Sequence, residues 1–235
     1  RMKILLISAN NERHPYPVAP IGIAYIAKAL QNSGHDVRFT DLCFVEDGCS
    51  LIAEALQDFN PDVIGISIRN IDNLTYNKSV SYMPGIRRIV DFLKTLTVAP
   101  LVVGGSGFSI FPEEALRYLE LETGIVGEGE TAFVQLLDVI EHGGSPSHIQ
   151  NLCYVKDGKF NSNGVMYNQF NSRPDRSLLN NGAYLELGGM ANIQSKRGCP
   201  FKCSYCTYPG IEGAMLRLRR PADVAEELKE MRLHY

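Results

Sequence analysis

Three cysteines fall close together in the run Arg197-Gly198-Cys199-Pro200-Phe201-Lys202-Cys203-Ser204-Tyr205-Cys206. The spacing CxxxCxxC puts three thiols, those of Cys199, Cys203 and Cys206, on one short loop. As thiolates they can bind three irons of a [4Fe–4S] cube and leave the fourth iron without a protein ligand, an open position where chemistry can occur. Structural zinc and a redox CxxC are the rival readings. Zinc wants four closed ligands, and the nearest downstream histidine, His234, is distant. Cys43, Cys49 and Cys153 are scattered, unlike a disulfide framework, and read as small core or surface residues.

A second set of candidates sits in loops that follow short apolar runs. Ser67, Arg69, Asn70 and Asp72 come after one run, Gly104, Gly105, Ser106 and Gly107 after the next, and Gly127, Glu128 and Gly129 after a third. Glycines there let a bulky planar ligand or its nucleotide tail approach the backbone, and a loop entering a helix offers free N–H groups to amide or phosphate oxygens. The plainer reading of the glycines is the tight turns that any α/β protein needs. Glu128 and Glu130 can equally favour the positive end of the following helix. Polar groups in succession, as at Arg69, Asn70 and Asp72, belong at a site or in a turn network, and we favour the site. His14 reads as an exposed loop histidine, and Arg217, Arg219 and Arg220 as at least two solvated charges with one able to steer an anion.

The elements that must hold these groups follow from the hydrophobic pattern. From Met2 to about His142, β-branched runs alternate with segments of helical period, which predicts a parallel sheet with crossover helices. Five βα units are expected, with strands at 3–7, 37–41, 63–68, 101–103 and 125–126, giving an α/β, doubly wound, Rossmann-like domain over 2–145. Its ligand side is the crevice beyond the strands' carboxyl ends. The breaker cluster Gly143-Gly144-Ser145-Pro146-Ser147 sets the domain edge. Residues 146–189 read as a hairpin with arms at 152–155 and 164–167, then a polar linker from Asn168 to Gly182. Residues 190–235 hold the cysteine loop and a helix after Pro221 with Val224, Leu228 and Met231 on one face. A complete α/β barrel takes roughly 200 residues or more, so this last part is expected to be only the first βα unit of a truncated barrel.

Composition narrows the function classes. The 235 residues are 45% hydrophobic and 21% charged, which excludes a disordered or fibrous chain. The net charge of -3 gives no case for phosphate-backbone binding, so nucleic acid is not an expected partner. No apolar run nears the ~18 residues of a membrane span, and none reads as a signal peptide, so a cytoplasmic location is expected. Arg1 ahead of Met2 reads as a processing remnant.

With its aromatic Tyr205, the cysteine run resembles the CxxxCxΦC motif of the radical S-adenosylmethionine (SAM) superfamily. The resemblance implies that Cys199, Cys203 and Cys206 ligate a [4Fe–4S] cluster whose open iron chelates SAM, and that Tyr205 lines the adenine side. The domain ahead of it is similar to the cobalamin-binding domain of B12-dependent radical SAM enzymes. The features that carry this are Pro17-Val18-Ala19-Pro20-Ile21-Gly22 and the three loops named above. By that resemblance Ser67, Arg69, Asn70, Asp72, Gly104 to Gly107 and Gly127 to Gly129 bind cobalamin. The Asp-x-His-x-x-Gly motif that supplies a histidine to cobalt elsewhere in the B12 family is missing, so base-off cobalamin is implied. Methylthiotransferases carry three further cluster cysteines in the N-terminal domain; only Cys43 and Cys49 precede residue 150 here, which argues against sulfur insertion.

The implied function is a cobalamin-dependent radical SAM methyltransferase acting on an unactivated carbon or phosphorus centre of a small molecule, supplied by an electron donor. Ring contraction, cyclisation, a relative that has lost cobalamin, and a non-catalytic cobalamin-binding module are the alternatives. Residues 1–235 by themselves are expected to be inactive, because most of the barrel is absent.

Overall fold

The computed structural model describes residues 1–169, 172–188 and 190–234. Apolar residues of strict β character form β1 (Lys3–Ser8), followed by α1 (Ile21–Asn32), β2 (Asp36–Asp41), α2 (Gly48–Phe59) and β3 (Val63–Ser67). Then come α3 (Met83–Leu96), β4 (Leu101–Gly104), α4 (Pro112–Leu119), β5 (Thr123–Ile125) and α5 (Glu130–His142). The five strands pair in parallel in the order β2-β1-β3-β4-β5, so the chain reverses its direction of travel across the sheet between β1 and β3. That reversal opens a crevice at the carboxyl edge, where Ser8, Ser67 and Gly104 stand in register side by side.

Both faces of the sheet are covered, which is why the strands read as continuous apolar runs. On one face Leu5, Ile7, Ile64 and Ile66 pack against Ile52 of α2, Val90 and Leu93 of α3 and Leu116 of α4. On the other, Ile4, Leu6, Val63 and Val102 pack against Ile23, Ala27 and Leu30 of α1 and Phe133, Leu136 and Leu137 of α5. Among the described residues no helix is long and apolar enough to cross a membrane.

The hairpin is part of this sheet and does not stand apart from it. Its arms are β6 (Leu152–Lys156) and β7 (Lys159–Ser162), and β6 pairs antiparallel with β5, making a seven-stranded sheet. The second arm therefore lies at 159–162 and not at 164–167. The reason is the turn: Asp157 and Gly158 have φ of 52° and 72°, a two-residue connection with both central residues left-handed, so the arms are joined without a longer loop.

The stretch read as linker is also structured where it is described. Arg176 and Leu179 are buried, and α6 (Asn181–Gly188) plants Tyr184 in the core, where its hydroxyl donates to Asp41 Oδ2 at 2.7 Å. After α6 come β8 (Lys196–Arg197), α7 (Tyr208–Glu212), β9 (Arg217–Leu218) and α8 (Pro221–His234). β8 and β9 form a two-stranded antiparallel ribbon with Arg197 opposite Arg217. The apolar face expected on α8 is not what docks it: Leu228 is exposed, and the buried residue is Glu227. Glu227 accepts from Arg176 at 2.7 and 2.9 Å and lies 2.7 Å from Arg219 Nη1.

Candidate cofactor site

A cleft of about 300 Å³ lies at the carboxyl edge of the sheet. Its floor is apolar, made by Leu6, Ile23, Ile26, Val102, Ile125 and Phe133, and its mouth carries Ser8, Ser67, Arg69 and Ser106. Pro20 to Ile23 bring the start of α1 to the cleft, and no side chain caps that helix; the Ile21 and Ile23 N–H groups donate to the Ala19 and Pro20 carbonyls, which leaves the Gly22 N–H for a ligand's oxygen. At Gly22 a Cβ would meet nothing within 4 Å, so the wall is open there. The Arg69 guanidinium makes no ion pair or hydrogen bond among the described residues, and burial holds its pKa below the ordinary value. A part-buried cation with no partner is suited to an anionic or amide oxygen.

Of the loop residues read from the sequence, Ser67, Arg69, Gly104, Gly105, Ser106, Gly127, Glu128 and Gly129 line this cleft. Asn70, Asp72 and Gly107 do not. Asp72 instead accepts from the Leu74 N–H at 2.8 Å, and Gly107 packs on the backbone of Arg69 and Asn70. His14 is outside the cleft with a fully exposed ring beside Glu12.

The opposite wall comes from residues that flank the cysteine run, namely Asn192, Gln194, Arg197, Ile211 and Glu212. Sequence reading passed over them as site residues. The one signal was Arg197 itself, a charge placed directly before the glycine that precedes the first motif cysteine. Arg197 and Arg217 are both buried and face each other across the ribbon, an unfavourable juxtaposition unless counter-charge is supplied. Glu128 and Glu130 supply it from the β5–α5 loop. Arg197 Nη2 donates to Glu130 Oε1 at 2.7 Å, and Glu128 Oε1 lies 2.5 Å from Arg217 Nη2 and 3.4 Å from Arg197 Nη1. The Glu128 contacts are ion pairs whose angles do not make hydrogen bonds. Burial opposes the charge on Arg197, but Glu130 and Glu128 outweigh it and raise its pKa above the usual guanidinium value.

The two acidic residues thus bind the ribbon, and the expectation that at least two of Arg217, Arg219 and Arg220 are solvated is corrected: only Arg220 is exposed. The polar surroundings of these residues in sequence hide the fact that a second layer of chain covers them.

The cysteine loop is built with the same care. Gly198 has φ of +83°, and a Cβ there would stand 2.0 Å from the Met215 carbonyl oxygen, so no other residue fits this turn. The Cys199 N–H donates to the Gly213 carbonyl at 3.0 Å, and Glu212 accepts from Gln194 at 3.0 Å, from the Gly198 N–H at 3.3 Å and from the Tyr208 hydroxyl at 2.5 Å. Burial and Glu212 push the Tyr208 phenol well above its ordinary pKa, so it remains a donor. Beyond this bracing, Cys203 and Cys206 are exposed, Cys199 is half-buried, and Tyr205 is 89% exposed. Among the described residues no three Cys, His, Asp or Glu side chains converge on one point as a mononuclear metal site requires. A cube, in which each thiolate takes its own iron, makes no such demand, and three soft thiol donors on a glycine-turned loop suit it.

Known proteins are similar to this chain over nearly its whole length. The hopanoid C-3 methylase of Methylococcus capsulatus is 27% identical over 222 residues, covering 91% of this chain and 40% of the relative. The tryptophan 2-C-methyltransferase of Streptomyces laurentii is 23% identical over 276 residues, covering 94% and 46%. The chain therefore spans less than half the length of these curated relatives. The structure of the radical S-adenosylmethionine methyltransferase TsrM from Kitasatospora setae, with cobalamin and a [4Fe-4S] cluster bound, superposes with a TM-score of 0.87 at 26% identity over 98% of this chain and 46% of that one. The family described as the B12 binding domain matches residues 7–137, more than half of the sequence, and the chain belongs to it.

Proposed function

We propose that the chain is the cofactor-loading part of a cobalamin-dependent radical SAM methyltransferase acting on an unactivated carbon or phosphorus centre of a small molecule. The observation that carries this is the shared cleft: glycine-rich loops of a B12-binding sheet form one wall and the flanks of a CxxxCxxC loop form the other. The relatives support the chemistry, since those that match are named as methylating tryptophan and a hopanoid, and another as a cytidylyl-2-hydroxyethylphosphonate methyltransferase.

In this reading Ser67, Arg69, Gly104 to Ser106, Gly127, Glu128, Gly129 and the start of α1 hold base-off cobalamin, with Asn70, Asp72 and Gly107 supporting the loops behind them. Cys199, Cys203 and Cys206 hold a [4Fe–4S] cluster, and Tyr205 takes the adenine side of SAM. When bound, these groups supply a transferable methyl and, with an electron from a donor, one-electron cleavage of SAM to a carbon radical. The chain's own contribution is orientation and dryness. Leu6, Ile26, Ile125 and Phe133 exclude water from the cleft, and Arg69 offers a guanidinium to an oxygen of the ligand. Residues 2–145 are the binding domain, 146–189 its extension and bracket, and 190–235 the start of the catalytic barrel. The location in this reading is cytoplasmic.

Anaerobic reconstitution with iron and sulfide is expected to give the broad charge-transfer absorbance of a thiolate-bound cluster, lost in Cys203→Ala. Stable zinc in its place would overturn the cluster assignment.

A further inference from the structure

The cysteine loop does not rest on its own short stretch of chain. Both of its flanks sit on the loops that form the cleft. On the upstream side Arg197, buried at 5% exposure, reaches back 67 residues to Glu130 while its Nε donates to Gln194 Oε1 at 3.0 Å. Its guanidinium also lies 4.9 Å from the centre of the Tyr25 ring, so α1 packs against it as well. On the downstream side, the Ile211 carbonyl at the end of α7 lies against Gly127, 3.3 Å from where a Cβ would be. Glu128 and Glu130 belong to the same Gly127–Glu130 turn that faces the cleft.

A ligand packed on that turn restricts it, and a restricted turn holds Glu130 in place. Arg197 then fixes the residue immediately before Gly198, and through it the turn into Cys199. Lys cannot reproduce this, because a point charge does not present the fork that meets Gln194 and Glu130 together.

We infer that Arg197 is a positioning residue that couples occupancy of the cleft to order in the cysteine loop, through its pairing with Glu130. The inference rests on cobalamin being the occupant of the cleft.

Hydrogen–deuterium exchange of residues 198–213 tests it in this chain, in the dark, with and without methylcobalamin, while the visible spectrum of the same samples reports cobalamin retention. The expected result is exchange about tenfold slower with methylcobalamin, in keeping with a coupling of ordinary size between contacting groups. In Arg197→Gln and in Glu130→Gln, each compared at a methylcobalamin concentration that saturates that variant by its visible spectrum, the ratio is expected to fall to near one. A merely structural role loosens the loop equally in both states and preserves the ratio, which would overturn the inference. Should Arg197→Gln not fold, Glu130→Gln decides on the same criterion. If wild-type chain retains cobalamin but shows no slowing, only this inference fails; if it retains none, the proposed function fails as well.

Discussion

Cys153 shows how far a single residue's chemistry departs from what its type suggests. It lies fully buried on β6, its thiol directed at the Gly124 carbonyl oxygen at 3.4 Å, and burial pushes its pKa from 9.0 up to about 12. The unfolded chain loses this proton near the ordinary value while the folded chain keeps it, so the stabilising contribution is complete below about pH 9 and is lost as pH rises toward 12. The slope is about 1.4 kcal/mol per pH unit. Urea unfolding at about pH 8 and about pH 10 is expected to show a loss in wild type that is smaller by about that amount in Cys153→Ala. An equal loss in both would show that the thiol does not titrate there. The sequence distinguished Cys153 from the motif cysteines by spacing alone. The motif thiols were legible because three of them within one loop have few other uses, whereas Arg197 was not, since a lone arginine reads as surface until a second layer of chain is seen to bury it.

At the scale of elements, the parallel alternation was legible because strands covered on both faces must be continuously apolar, and all five expected strands and their crossover helices are present. The hairpin's antiparallel addition to β5 was not legible, because nothing in a strand's own residues says which free edge it will take. The docking of α8 was hidden for a different reason. Its buried residue is a carboxylate, and pattern reading assigns carboxylates to the solvent face. Glu227 pairs with two buried arginines at once, Arg176 from the bracket and Arg219 beyond the ribbon, so the three segments are held together by charge. Removing Glu227 leaves both arginines buried without a counter-charge. Glu227→Ala is expected to lower stability by about 3–5 kcal/mol, measured by chemical denaturation, and to release α8. A change under about 1 kcal/mol would mean that this end of the chain is held by other contacts.

At the scale of the whole molecule, the glycine loops of the sheet and the flanks of the cysteine loop meet in one cleft, where the proposed function seats cobalamin. The sheet places glycine loops, an uncapped helix start and the free Arg69 guanidinium on one wall, and the part-buried Arg197–Glu130 pair ties the flank of the cysteine loop, which forms the other wall, to it. The loops could be located from sequence, since ligand sides of doubly wound sheets are fixed by strand direction. Which loop residues face inward could not, because Asn70 and Asp72 differ from Ser67 and Arg69 only in the path of the turn that follows β3. The measurement that bears most directly on this is cobalamin retention through gel filtration, read by visible absorbance, in wild type and in Gly22→Trp. Gly22 lines the cleft and a Cβ there would meet nothing within 4 Å, so a side chain can be added at this position, and an indole is expected to take up space the corrin needs. Wild type is expected to retain cobalamin with a base-off spectrum and Gly22→Trp to retain little. Equal retention by both, or none by wild type, would contradict a corrin seated in this cleft.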